Sequence, residues 1–213
     1  MRGWVRIGLL LLMFCLTVLH TSVAIAQDAT PTSTPEIPDV SLCQIAPRSQ
    51  ESLEGLRTAA AAATPSPNQE PLTELPAGEP ASESTIAGMT DALREVYACR
   101  NAGDFLRIYS LYSEPYLQAR FTEQPPPPWD GGLYDALGTP QPVSADQQFA
   151  ILSLSDARQF DGGRAGFVAI LHVPGANPET LTLFITFVRE GDRWLIDSSV
   201  PIAPNTDSAT PAE

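Results

Sequence analysis

The chain has no lysine; its 12 basic residues are all arginine, set against 25 acids for a formal charge of −13. That balance leaves out the clustered positive charge on which nucleic-acid and anionic-membrane binding depend. Histidine is scarce. His20 sits in the N-terminal apolar region, so His172 is the one histidine beyond it. A hydrolytic triad would have to pair His172 with Ser153, Ser155 or Ser198. No Gly-x-Ser-x-Gly elbow occurs, and a place beside the Val173-Pro174 turn suits a half-exposed strand-end histidine. Cysteine is scarce too, limited to Cys15, Cys43 and Cys99. A cysteine-rich zinc site needs four soft ligands, and no calcium-loop spacing of acids around a glycine is present. No metal and no cofactor is expected.

Long hydrophobic runs are also missing. Arg2 and Arg6 precede an apolar stretch over 7–19, and Ala24-Ile25-Ala26 follows it. This is the order of a secretory signal peptide. A membrane span needs about 20 apolar residues, and this stretch stops at Leu19-His20. Cys15 lacks the preceding small residues of a lipoprotein signal. Residues 1–26 therefore read as a cleaved signal peptide and the protein as secreted or exterior to the cell; an uncleaved signal would anchor it to the membrane. Cleavage leaves ten arginines facing 25 acids, a charge of −15.

Residues 27–82 read as a disordered tether rich in Pro, Thr and Ala, with a five-alanine run and prolines at 65, 67, 71, 76 and 80. Such a composition buries too little apolar surface to offset chain entropy. Within it, 42–57 forms a short island in which Ser49 is placed to cap a helical turn carrying Leu53 and Leu56. The island is too small to fold alone, so it is a candidate to dock on the main domain. Cys43 and Cys99 are the two cysteines left after cleavage. They form either a disulfide pinning the island or two free thiols.

The folded domain is placed at 83–200. Ile86, Met89, Leu93, Val96, Tyr97 and Arg100 fall on one helical stripe, with Cys99 on the flank. Gly103 stops that helix, and Asp104 caps the next. Phe105, Leu106, Ile108, Tyr109, Leu111 and Tyr112 leave almost no polar face, which predicts a helix buried on several sides. Ser113-Glu114-Pro115 opens a third helix ending near Phe121. Arg100, at the end of the stripe, is either a ligand anchor or a partner for Asp104 or a helix-end carbonyl; the helix dipole favours the structural role.

A long connection over 122–148 contains four consecutive prolines and Trp129. It lies across a cavity mouth with Trp129 tucked in, or it is a surface excursion. Four strands follow, at 149–160, 164–173, 180–190 and 193–199, joined by turns at Asp161-Gly162-Gly163 and Gly191-Asp192. The second hairpin sets Glu190 opposite Arg193, Phe187 opposite Ile196, and Ile185 opposite Ser198. One face of the last two strands carries Leu181, Leu183, Ile185, Phe187, Trp194 and Ile196, directed at the helices. The other carries Phe184, Val188 and Leu195 among Thr182, Thr186 and Asp197, which points to a homodimer or to cover by another segment. Residues 201–213 read as a disordered tail.

Two stretches carry a family resemblance. They are Tyr97-Ala98-Cys99-Arg100-Asn101-Ala102-Gly103-Asp104-Phe105 at the first helix corner, and Val188-Arg189-Glu190-Gly191-Asp192-Arg193-Trp194-Leu195-Ile196-Asp197 at the closing hairpin. Over about residues 84–200 the chain resembles the nuclear transport factor 2-like superfamily, which includes the SnoaL-like domains. The resemblance implies an α+β cone, with three N-terminal helices packed on a curved four-stranded antiparallel sheet. Members include isomerases, dehydratases, cyclases and non-catalytic modules. The ketosteroid isomerase set, an Asp base with a Tyr and a protonated Asp as donors, does not map here. Glu190 and Asp197 fall on the face away from the cone, and the facing of Asp156 stays open. This leads to a non-catalytic binding or interaction module, with a small hydrophobic ligand or a protein as partner. The alternative is a small isomerase, lyase or cyclase acting on an apolar substrate. Tyr97, Arg100, Tyr109, Tyr112 and Trp194 are the candidate cone-lining residues; tyrosines at helical spacing also serve as plain core.

Overall fold

The structure, a computed structural model, describes residues 34–64 and 70–203. The signal segment 1–26, the start of the expected tether at 27–33 and residues 204–213 of the expected tail lie outside the described residues. The described chain is α+β, with five α-helices and a five-stranded antiparallel sheet. Three helices and four strands were expected; both numbers rise because segments read as tether and loop are structured.

The central helix is α2 (Glu83–Ala102), capped by the Ser82 side chain on the Thr85 N–H. Met89, Leu93, Val96 and Tyr97 are buried along its stripe, while Ile86, one turn in, is 37% exposed. Gly103 ends α2 at φ 68°. A Cβ there would stand 2.1 Å from the Gln141 carbonyl oxygen, so the corner needs glycine for space as well as for backbone freedom. Asp104 then caps α3 (Phe105–Ser110) by accepting from the Arg107 N–H. Ser113 caps α4 (Glu114–Glu123), with Pro115 in its first turn.

The sheet runs β1 (Glu79–Pro80), β2 (Ala150–Phe160), β3 (Arg164–His172), β4 (Thr180–Glu190) and β5 (Arg193–Pro201), each strand beside the next. The β4–β5 hairpin pairs Glu190 with Arg193 and Phe187 with Ile196. A bulge between Thr186 and Phe187 then shifts the register, so Ile185 faces Ser199 rather than Ser198. Phe167, Leu171, Ile185, Phe187 and Ile196 form the core with Met89, Leu93, Val96 and Ile108. On the second face Phe184 is 2% exposed and Leu195 7%, so for these two residues it is cover within the single chain, one of the two alternatives expected, that the structure shows. The Phe160 ring stands 6.2 Å from that of Phe184.

The expected tether holds a full helix, α1 (Gln50–Ala62), whose last turns are the alanine run. Alanine loses no side-chain entropy in a helix, and Leu53, Leu56 and Ala60 give it one buried face against Leu106, Leu117, Phe121 and Trp129. Upstream, residues 34–48 are laced to the domain. Glu36 exchanges two 2.8 Å backbone hydrogen bonds with Ile151, and its carboxylate meets Arg94 at 2.6 and 3.1 Å. The N–H groups of Gln44 and Ile45 donate to Glu95. Downstream, Leu72 pairs with Ile202, and Ala81 donates to the Ala157 carbonyl at 3.1 Å. Residues 70–82 are therefore not free spacer, and residues 201–203 extend the sheet edge rather than begin a tail.

The connection 122–148 also contains structure, a helix α5 (Gly131–Leu137) and a 3-10 turn at Ala145–Gln147. Among the described residues, no helix is long and apolar enough to cross a membrane.

Candidate functional site

Three helix segments enclose the site. The end of α2 supplies Arg100, α3 and the residues after it supply Phe105, Ile108, Tyr109 and Tyr112, and α4 supplies Tyr116, Leu117, Arg120 and Phe121. Together with Gln124 and Pro126 they line a pocket of about 270 Å³. Phe105, expected to be buried, is 44% exposed at this pocket. The proline run reaches the pocket through Pro126, and Trp129 beyond it is 2% exposed. Its ring stands 5.7 Å from Tyr109 and 6.0 Å from Phe121, edge-on to the first. The backbone of Trp129 is held by α1, with Gln50 donating to its carbonyl and its N–H donating to Glu54.

Arg100 is the unusual group. Seven of the ten described arginines lie within 4.0 Å of a carboxylate, and Arg100 is not among them. Asp104, the partner that a structural role would use, is taken by Arg107 at 3.0 Å. The Arg100 guanidinium instead lies over the Phe149 ring, 5.1 Å from its centre. Asn101 positions that ring. It is 1% exposed, donates to the Phe149 carbonyl at 3.1 Å and accepts the Phe149 N–H at 2.8 Å. Burial works against the Arg100 charge, and the hydrogen bond from its guanidinium to the Tyr112 phenol oxygen supports it.

Burial pushes the Tyr116 phenol up to about 12 and moves Tyr97 and Tyr109 in the same direction. These phenols are therefore neutral near pH 7 and cannot act as counter-ions. No acid lines the pocket among the described residues. Its second cation, Arg120, is paired with Glu123 at 3.2 Å.

The candidates named from sequence separate into two groups. Arg100, Tyr109 and Tyr112 converge on the pocket. Tyr97 packs in the core, 5.9 Å from the Phe149 ring. Trp194 packs near Gly88 of α2, where a Cβ would come within 2.5 Å of the indole. Sequence reasoning missed Tyr116, Arg120 and Asn101. The spacing of Tyr112 and Tyr116, four apart across the helix start at Ser113, was the available signal; their rings lie 5.2 Å apart. Cys43 and Cys99 are joined as a disulfide with Cα atoms 4.8 Å apart. Cys99, expected on the helix flank rather than in the core, is fully buried and shares the main core cluster with Cys43. His172 ends β3 opposite Thr180, and no hydrogen bond joins it to Ser153, Ser155 or Ser198. Asp197 accepts from Ser113 at 2.8 Å and pairs with Arg164 at 2.7 Å. No metal-holding cluster of three His, Cys, Asp or Glu occurs among the described residues.

Two larger hollows, of about 1080 and 750 Å³, meet at Arg164 on the second sheet face. They are open clefts whose arginines are already paired, Arg164 with Asp197 and Arg120 with Glu123. Size alone does not make them the better site; the smaller pocket combines an aromatic wall with a cation that no carboxylate among the described residues pairs.

No protein-family model matches the chain, and no curated protein matches it. Among solved structures, it is similar to an "Ntf2 like protein involved in plasmid conjugation", at 13% identity and a TM-score of 0.39. The match covers 68% of this chain and 50% of that one, so this chain spans about half the length of that protein.

Proposed function

We propose that the protein is an exported binding module of the nuclear transport factor 2-like, SnoaL-like kind, holding a small ligand between α2, α3 and α4. The observation that carries this reading is the pocket bounded by Arg100, Tyr109, Tyr112 and Tyr116. Ring walls with a few convergent polar groups suit retention of a small, largely apolar molecule. Binding is favoured over proton transfer because no carboxylate or histidine lines the pocket among the described residues, and burial pushes the Tyr109 and Tyr116 phenols up, away from a base near neutral pH. The sequence order also fits, with helices, a glycine corner and then a bent antiparallel sheet. Export rests on residues 1–26.

Native mass spectrometry of the full chain recovered from outside an expressing cell tests this. The expected spectrum contains a mature species starting after Ala26, with a small-molecule adduct that denaturation releases. A bare mass in every preparation would contradict it.

A further inference from the structure

We infer that Arg100 is an anion receptor and that the ligand it selects is a single-ring aromatic monocarboxylate. This deepens the binding-module reading and rests on it. Four observations converge. First, Arg100 has no carboxylate within 4.0 Å among the described residues, and the nearby acids Asp104 and Glu123 are engaged by Arg107 and Arg120. Its polar contact is with the Tyr112 hydroxyl, so an incoming carboxylate would supply the counter-charge that this contact lacks. Second, the pocket lining contains two arginines and no acid, in a chain that carries 25 acids and 12 basic residues. The positive character is local, against the overall charge.

Third, the surrounding groups fit the two ends of such a ligand. Tyr112 and Tyr116 carry hydroxyls able to donate to a carboxylate, and Phe105, Ile108, Leu117 and Phe121 give rings and methyl groups for an apolar body. Phe149 covers one face of the guanidinium at 5.1 Å and the Tyr112 oxygen accepts from one of its N–H groups, so the remaining in-plane donors, with the Tyr112 hydroxyl beside them, face a planar two-oxygen partner. Fourth, the volume of about 270 Å³ falls just below the usual range for drug-sized ligands, roughly 300–1,000 Å³. One ring and its carboxylate fit that size. A phosphate dianion fits less well, because Arg120 is already neutralised and one uncompensated charge remains.

The experiment is calorimetric titration of the full chain with benzoate, its neutral isostere benzamide, toluene and inorganic phosphate. Benzoate is expected to saturate a single site at least roughly tenfold more tightly than benzamide, since one charge-assisted bidentate contact separates them. Phosphate is expected to be weaker than benzoate. Arg100→Gln is expected to bring benzoate down to the benzamide level. Equal affinities for benzoate and benzamide, or an unchanged preference in Arg100→Gln, would overturn the inference. Phosphate binding as tight as benzoate, and dependent on Arg100, would overturn the aromatic-carboxylate assignment in favour of an inorganic anion site. If Arg100→Gln does not fold, the benzoate-to-benzamide ratio on the unmodified chain still decides. The probes also separate this inference from its premise. Toluene and benzamide binding without a benzoate preference removes the anion receptor and keeps the pocket. No binding of any ring compound at millimolar concentration removes both.

Discussion

Asn101 holds both backbone polar groups of Phe149, at 2.8 and 3.1 Å, and so fixes the ring over which the Arg100 guanidinium lies at 5.1 Å. The two residues are 48 apart in sequence, and their contact joins the end of α2 to the start of the sheet. The site charge is therefore positioned by a buried amide that never touches the pocket.

Asn101→Ala should remove two hydrogen bonds and leave the Phe149 N–H and C=O without partners. The expected loss is about 2–4 kcal/mol of unfolding free energy, measured by urea denaturation. A loss below about 1 kcal/mol would mean that the Phe149 backbone finds other partners and that Asn101 does not anchor it.

Cys43 and Cys99 close a loop with a sequence separation of 56. By the chain-entropy account the cross-link contributes about 4 kcal/mol by restricting the unfolded chain. Replacing both cysteines by serine should lower the urea midpoint accordingly while leaving the far-ultraviolet spectrum intact, because Glu36 with Arg94 and Glu95 with the Gln44 and Ile45 N–H groups still hold the segment. A double variant as stable as the parent would contradict this.

The buried phenols predict alkaline instability. Tyr116 titrates near 12 in the fold, above the ordinary tyrosine value of about 10, and Tyr97 and Tyr109 shift the same way. Below pH 10 both folded and unfolded chains keep these protons, so the stabilisation is complete. Between 10 and 12 the unfolded chain loses protons first, and stability falls as pH rises. The urea midpoint should therefore drop from pH 9 to pH 11, and Tyr116→Phe should shrink the drop. A flat or rising midpoint would be the contrary result.

Trp129 joins α1, α3 and α4. Its truncation to alanine should cost about 3–5 kcal/mol, as for other fully buried aromatic residues. Trp129→Phe should cost much less, below about 2 kcal/mol, because the indole N–H has no hydrogen-bond partner among the described protein atoms and its loss leaves nothing unpaired. Equal losses for the two variants would show that the N–H is engaged.

These sites show which parts of the molecule were legible from sequence. The corner at Gly103 and Asp104 was, because a helix stop and a cap act within a few residues. The Gly191-Asp192 turn was too, and it set the pairs Glu190 with Arg193 and Phe187 with Ile196. The register failed at Ile185, because a bulge is set by neighbouring strands rather than by the turn. The alanine run read as spacer because its helix depends on docking against Leu117, Phe121 and Trp129. Of the pocket, Arg100, Tyr109 and Tyr112 were visible from helical spacing. Tyr116 and the Asn101 clamp were not, since both depend on how α4 and residue 149 return to the end of α2.

The measurement closest to the main claim is an NMR titration of the labelled full chain with benzoate, following aromatic C–H and arginine Nε–H signals. The account predicts that the shifts concentrate on Tyr109, Tyr112, Tyr116 and Arg100. Shifts gathered instead along Phe160, Arg164 and Phe184 in the outer cleft, or no shifts at all, would contradict it.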